Sequence, residues 1–285
     1  MLGTYHLTAL FDILNKIHFV YEPQKLWEFV LEQGCKVLQS EAGTFFELSE
    51  DEQQLRVKAA YGITFERLGQ VPFRVGTGIS GWVAQYHQPA LVNDVRQDNR
   101  FNRQADVVTG FHTKSILCIP VFSIKRAYGV LEIINRKNGQ FGPQDQEFMT
   151  LLGRQAAVAY QNLQLITEVS QTKILMESLL ENLSGGLIAM DSAGAITVLN
   201  PAAAHLLELV GEGVVGKMVG DVLKGIPWFV ETLQKTLASK ETVSRQETTL
   251  TVAGQSQRLG YTTILIRDHQ KQVLGSGIIF QKLTK

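Results

Sequence analysis

Ser115-Ile116-Leu117-Cys118-Ile119-Pro120-Val121 and Ala127-Tyr128-Gly129-Val130-Leu131-Glu132-Ile133-Ile134 are two nearly continuous apolar runs, parted by the short connection Ser123-Ile124-Lys125-Arg126. Runs of this length between turn residues read as strands, and the connection reads as a hairpin turn. Strand-like segments also occur at residues 43–48, 55–60 and 90–92, the first two joined by Ser49-Glu50-Asp51-Glu52. Ahead of them, Leu10, Ile13, Leu14, Ile17 and Phe19-Val20 recur at helical spacing, which predicts a helix over residues 7–20. Pro23 can open a second helix that has Leu26, Trp27, Phe29-Val30, Cys35 and Leu38 to bury. Two short helices are expected near residues 79–87 and 101–108. Helices flanking an antiparallel sheet make an α+β domain, here ending near residue 142.

Pro143 suits the first turn of a further helix, and the next proline is Pro201. Between them Phe148, Leu152, Gln155, Ala159, Asn162, Ile166, Val169, Lys173, Met176, Leu180 and Leu183 alternate at spacings of four and three. This is a heptad stripe, and it predicts a parallel homodimer through the helix at 145–184 that carries a signal between domains. At about 1.5 Å per residue the helix would be about 60 Å long, more than one small domain can cover. The same residues also suit two shorter helices, each on its own sheet, with a break near 167–172. Asn162 and Lys173, polar at seam positions, would fix the register at some cost in stability.

After Ser184-Gly185-Gly186 a second pattern begins. Residues 187–191 and 196–199 read as short strands joined by Ser192-Ala193-Gly194, a hairpin turn. Asn200-Pro201 then opens an Ala- and Leu-rich helix, with Asn200 as its cap. Helical segments continue to about residue 237, and strands at 243–252, 256–266 and 272–281 close the domain. The expected organisation is residues 1–165, a connecting helix at 143–184 and residues 185–285: two α+β domains joined by one long helix.

The 285 residues carry 27 Lys plus Arg against 27 Asp plus Glu, so there is no basic face for nucleic acid. No apolar stretch approaches the roughly 18–20 residues that span a bilayer, and the N-terminus lacks the charged start of a signal peptide. Cys35 and Cys118 are too few for a disulfide framework or a metal cluster. A reduced, cytoplasmic protein with neither nucleic-acid nor membrane partner is expected. No catalytic signature is found, and an enzyme is not expected.

Gly76-Thr77-Gly78-Ile79-Ser80-Gly81 has the G-x-G-x-x-G spacing, yet Pro72 precedes it and no βαβ unit surrounds it, so a dinucleotide site is not expected. The glycines either only make the turn or leave the amides of Ile79 and Ser80 free to hold an anion. The six histidines show no zinc-ligand spacing, and no metal site is expected. His112, in a loop ahead of a core strand, is the one placed to ligate haem, and haem is not expected.

The run from Asn99-Arg100-Phe101-Asn102 through Asp106, Thr109 and Thr113 to Cys118-Ile119-Pro120 resembles the ligand-lid segment of a GAF domain, as found in cyclic-nucleotide phosphodiesterases and related cyclases. The segment Gly129 to Arg136, followed by Phe141 and Asp145, is similar to the signature of cyclic-nucleotide-binding GAF domains, with Gln146 where that signature has Glu. The resemblance covers about residues 5–165. It implies a pocket formed by Thr44, Ile79, Ser80, Asn102, Asp106, Thr109, Thr113 and Glu132, with a cyclic nucleotide as the ligand class. Ala60 or Tyr61 stands where some relatives carry an acid beside the purine. Asn135, Arg136, Phe141 and Asp145 are expected to brace the fold, with an Arg–Asp pair across the end of the sheet.

Gly-Leu-Ile-Ala-Met-Asp at residues 186–191, Ile-Thr-Val-Leu-Asn at 196–200 and the helix from Pro201 resemble the opening of a PAS domain. Residues 275–284 resemble its last strand and exit motif, with Lys282 where Asp is usual. The tandem resembles the N-terminal part of a bacterial sensor histidine kinase of a two-component system. It implies a small-molecule sensor that signals through a dimeric helix and the PAS domain to an output domain or response regulator, any kinase activity lying beyond Lys285. The alternative is a dimerisation module, binding nothing small, of a transcriptional activator or cyclic-diguanylate enzyme.

Overall fold

The computed structural model describes residues 2–123, 126–209, 213–252 and 254–283. The chain divides into two compact units, Met1–Val169 and Ser170–Lys285. Ile124 and Lys125 of the expected hairpin turn, and Thr284 of the exit segment, lie outside the described residues.

The first unit opens with α1 (Thr4–Ile17) and α2 (Pro23–Val37), then β1 (Ser40–Leu48) and β2 (Gln54–Tyr61). Next come α3 (Phe65–Leu68), the two-residue β3 (Phe73–Arg74), α4 (Gly78–Tyr86), β4 (Ala90–Val92), a 3-10 turn at Val95–Gln97 and α5 (Gln104–Thr109). β5 (Ile116–Phe122), β6 (Ala127–Arg136) and α6 (Pro143–Asn182) follow. The strands form one antiparallel sheet in the order β3-β2-β1-β6-β5-β4. The first helix starts and ends three residues earlier than its apolar spacing predicts, because Ile17 is the last of its buried residues and Phe19 is exposed.

Strand residues alternate between the two faces of the sheet. Phe45, Leu131 and Ile133 pack with α1, α2 and α6 in one core, where Trp27 stacks on Phe45 at 3.7 Å between ring centroids. Phe46, Val130 and Ile116 face the other way and pack with Ile79 and Val83 of α4. Gly129 is obligatory at its place: at φ 152° a Cβ there would sit 1.8 Å from the Phe46 carbonyl oxygen of the neighbouring strand.

α6 is one unbroken helix of 40 residues, with no break at 167–172. Its buried residues end at Tyr160, and Leu165, Ile166, Val169, Met176 and Leu179 beyond it are exposed. Phe148, Leu152 and Ala159 of the predicted seam are buried in the core of the first unit. Their spacing serves their own sheet, so that part of the stripe is not free for a partner.

The second unit contains β7 (Gly186–Asp191), β8 (Ile196–Leu199), α7 (Pro201–Leu206), α8 (Val219–Val222), α9 (Pro227–Ser239), β9 (Gln246–Val252), β10 (Gln255–Arg267) and β11 (Val273–Lys282). Its antiparallel sheet has the order β8-β7-β11-β10-β9. Asn200 caps α7 by accepting from Ala203 N–H at 2.9 Å, and it also accepts from Leu187 N–H at 2.7 Å. The core between sheet and helices is filled by Ile188, Met190, Phe229, Leu233, Ile278 and Phe280, with the Phe229 and Phe280 rings 4.8 Å apart.

Candidate ligand-binding site

Strand register in the first sheet aligns Ala60, Thr44, Glu132, Cys118 and Ala90 in one row across five strands. Paired residues point to the same face, so this row is a floor beneath α4 and α5. Thr44 and Glu132 line a cavity there, closed above by Ile79 and Ser80 of α4 and by Asp106 and Thr109 of α5. The Ser80 hydroxyl donates to the Glu132 carboxylate. Burial pushes the Glu132 carboxyl up to about 7, the Asp106 charge adds to this, and the Ser80 hydrogen bond opposes it. Burial likewise holds the Cys118 thiol well above its ordinary value, with the Glu132 charge as the next cause.

Thr44 is 0% exposed, and its hydroxyl has no hydrogen-bond partner. Leaving a buried hydroxyl unsatisfied costs roughly 1–3 kcal/mol. The indole N–H of Trp27 is also without a partner, but it lies in the other core. The orphan hydroxyl in the cavity is therefore a group that a bound molecule would satisfy.

The glycine-rich run makes the cavity's rim. Gly76 N–H donates to the Gly81 carbonyl at 2.8 Å, and a Cβ on Gly81 would come within 2.3 Å of the Arg74 carbonyl oxygen. The glycines thus make the turn and also bring α4 hard against β3. Thr77 caps α4 without a side-chain hydrogen bond, so no side chain of the cap competes for the first-turn amides at the rim. The turn-making role is seen in the geometry, and an anion at the amides of Ile79 and Ser80 belongs to the proposal below.

α5 forms the lid, and none of its residues is buried. It is held by its acid: the Asp106 carboxylate accepts from Thr113 N–H at 2.9 Å and from the Thr113 hydroxyl at 2.5 Å. Thr109 donates to the Ala105 carbonyl at 2.7 Å, and Asn102 accepts from Gln104 N–H at 2.9 Å. Gly110 ends the helix at φ 73°. The closed cavity measures about 60 Å³. A water needs roughly 10–15 Å³ on this measure, so the cavity has room for a few waters.

All eight residues named for the pocket line this one cavity. The bracing residues cluster elsewhere. Asn135, at φ 57° and 2% exposed, accepts from Lys114 N–H at 2.7 Å and donates to the His112 carbonyl at 2.7 Å and the Glu41 carboxylate at 2.8 Å. It fixes the segment between lid and β5. Arg136 pairs with the Asp145 carboxylate, which also accepts from Gly142 N–H at 2.8 Å and lies 3.2 Å from His6 Nε2. Phe141 is buried, and its N–H donates to Asn93 at 2.9 Å. Among the described residues no group of three or more His, Cys, Asp or Glu is placed to hold a metal ion.

The sequence reading missed the wall built by α3 and β3, where Ile63, Leu68, Val71, Phe73 and Arg74 line the cavity. No period marked them in the sequence, because α3 and β3 are only four and two residues long. Phe101 and Phe111, flanking the lid, were also missed.

Residues 22–160 match the GAF domain family, and residues 174–283 match the PAS fold. Over 121 residues, 42% of this chain, the sequence is 35% identical to the dual 3′,5′-cyclic-AMP and -GMP phosphodiesterase 11 of Drosophila melanogaster, of which it covers 8%. Over 125 residues, 43% of this chain, it is 33% identical to the cGMP-specific 3′,5′-cyclic phosphodiesterase of Drosophila mojavensis, of which it covers 11%. The chain thus spans only about a tenth of the length of these curated relatives. Among solved structures, the GAF domain of a phosphoenolpyruvate-protein phosphotransferase from Coxiella burnetii aligns at 16% identity and a TM-score of 0.53, covering 58% of this chain and 99% of that one. The corresponding GAF domain from Acinetobacter aligns at 19% identity and a TM-score of 0.50, covering 58% and 98%.

Proposed function

We propose that this chain, which carries a GAF domain followed by a PAS domain, is the cytoplasmic sensory region of a signalling protein whose GAF pocket binds a cyclic nucleotide. The observation that carries the reading is the buried, unpartnered Thr44 hydroxyl in the same cavity as the Ser80–Glu132 pair. The first-turn amides of α4 suit the cyclic phosphate, as a helix N-terminus favours an anion. Asp106, Thr109 and Thr113 on and beside the lid are donors and acceptors for the base and ribose. The likeness to phosphodiesterases named for cyclic AMP and cyclic GMP supports the ligand class.

Ligand that engages the lid exchanges the Asp106–Thr113 bonds for its own, so it binds open and closed lids with different affinity, and only such a difference shifts an equilibrium. The change passes along α6, paired with a second copy beyond Tyr160, to the PAS domain. A histidine kinase is the proposed output, acting in a two-component system. Isothermal titration with cyclic AMP and cyclic GMP tests the ligand. Heat of binding lost in Thr109→Ala is expected, whereas no heat at high micromolar nucleotide removes this reading and leaves a module that only dimerises.

A further inference from the structure

We propose that α6 pairs with α6 of a second copy of this chain through a seam that keeps Gln155, Asn162, Val169 and Met176 and displaces its alternate positions by one residue from those that apolar spacing selects. The inference rests on the dimeric reading above and adds its register and direction. Its starting point is burial: Leu152 and Ala159 are 0% and 7% exposed because they belong to the first unit's own core. A partner can only meet what that core leaves open. One residue earlier, Leu151 is partly buried at the edge of the core and Val158 is 48% exposed.

Carried forward at the same spacing, Leu165, Thr172 and Leu179 follow, with Leu165 50% and Leu179 61% exposed. Gln155, Asn162, Val169 and Met176 alternate with them, and Val169 and Met176 are 68% and 62% exposed. In heptad terms this second set takes position a, and the set from Leu151 to Leu179 takes position d. Three features of the chain agree with that assignment. Lys173 leaves the seam for position e, where its ammonium already lies 3.8 Å from Glu177 of its own helix. Asn162 takes position a, where a polar residue specifies register and a two-stranded state. Val169 at a beside Leu165 at d is the combination that favours two parallel strands.

The charges select the occupant. Glu168 falls at position g and Lys173 at position e, five residues on, the relation that joins the two helices of a parallel, in-register pair. An identical helix supplies both halves of this ion pair twice. An antiparallel partner would bring g against g and e against e and lose it. Thr172 is the least apolar of the d positions.

Single cysteines test the register under mild oxidation of the full chain, because a disulfide requires Cα atoms roughly 4.4–6.8 Å apart. Cys35 and Cys118 are 1% and 0% exposed, so the unmodified chain gives the background. Leu165→Cys and Thr172→Cys are expected to give several-fold more linked dimer than Ile166→Cys and Lys173→Cys. Glu168→Lys is expected to weaken the dimer, and adding Lys173→Glu to restore it. Faster linking at 166 and 173 overturns the register while the dimer stands. A dimer by light scattering with linking at none of the four positions overturns the seam, and a monomer at micromolar concentration overturns the dimeric reading as well.

Discussion

The two sheets differ most along their central rows. Across the first, Thr44, Glu132 and Cys118 lie side by side; across the second, Leu199, Ile188, Ile278 and Thr263 do. Among the described residues, Ser276, Thr236 and Thr263 of the second unit are buried and bonded within their own chain. Ser276 donates to the Leu233 carbonyl at 2.8 Å, Thr236 to the Thr232 carbonyl at 2.8 Å, and Thr263 accepts from Val243 N–H at 2.9 Å. The first unit leaves the Thr44 hydroxyl open and keeps the Glu132 carboxyl buried. One interior is complete by itself, and the other keeps an open hydroxyl that the proposed ligand would satisfy. The difference teaches that an unsatisfied buried group marks which of two similar interiors has room in its hydrogen bonding for a bound molecule.

The largest effect expected from breaking this contrast lies in the filled interior. Phe280→Ala should cost the second unit about 3–5 kcal/mol, read as a lower urea midpoint, and should leave nucleotide binding unchanged. A loss of binding heat in that variant would mean that the two interiors are not independent. The next effect is a pH dependence confined to the first unit. Glu132 is held near 7 when folded, above its ordinary value, so the fold prefers the neutral carboxyl. Its stabilising contribution is therefore complete below about pH 4 and is lost as pH rises through about 7, a change of about 3 kcal/mol. Urea titrations across that range should show the slope in the native chain and not in Glu132→Gln; an equal slope in both would place the titration elsewhere.

Thr44→Val sharpens the comparison at smaller scale. Replacing an unpartnered hydroxyl with a methyl of similar shape should stabilise the unliganded chain by up to about 1 kcal/mol and weaken nucleotide binding by about tenfold. Loss of stability instead would show that the hydroxyl already has a partner. The smallest effect is expected at the lid. Asp106→Ala removes two hydrogen bonds from a helix with no buried residue, so the Thr113 amide should exchange several-fold faster with global stability unchanged, as hydrogen exchange followed by NMR would show.

The long regular elements were legible in the sequence for a simple reason: Ile116–Phe122, Ala127–Arg136 and α6 repeat one pattern often enough to be recognised. The Asn200 cap and the Asp191–Gly194 turn were legible because each is a local hydrogen-bonding device, with Asp191 accepting from Ala193 N–H at 2.9 Å. α3 and β3 were not, since four residues and two residues are too short to show a period. The members of the pocket came from family resemblance, but the open hydroxyl of Thr44 did not, because satisfaction depends on neighbours distant in the chain. The sequence did not separate core from surface along α6 for a related cause: a 3.5-residue stripe and a 3.6-residue helix drift apart slowly, and only the burial of Phe148, Leu152 and Ala159 marks that part of the stripe as core.

Trp82 lies on α4, with the guanidinium of Arg100 4.4 Å above its ring, while Arg100 is anchored to Asp98 at 2.7 Å just ahead of the lid. Trp27 is sealed in the opposite core, and Trp228 belongs to the second unit, edge-on to Tyr261. The chain therefore carries an optical probe on α4, one in the first unit's sealed core and one in the second unit. Emission from Trp82, isolated by replacing the other two with phenylalanine, reads the lifting of a cation from an indole and so reports, without a label, on the segment just ahead of α5.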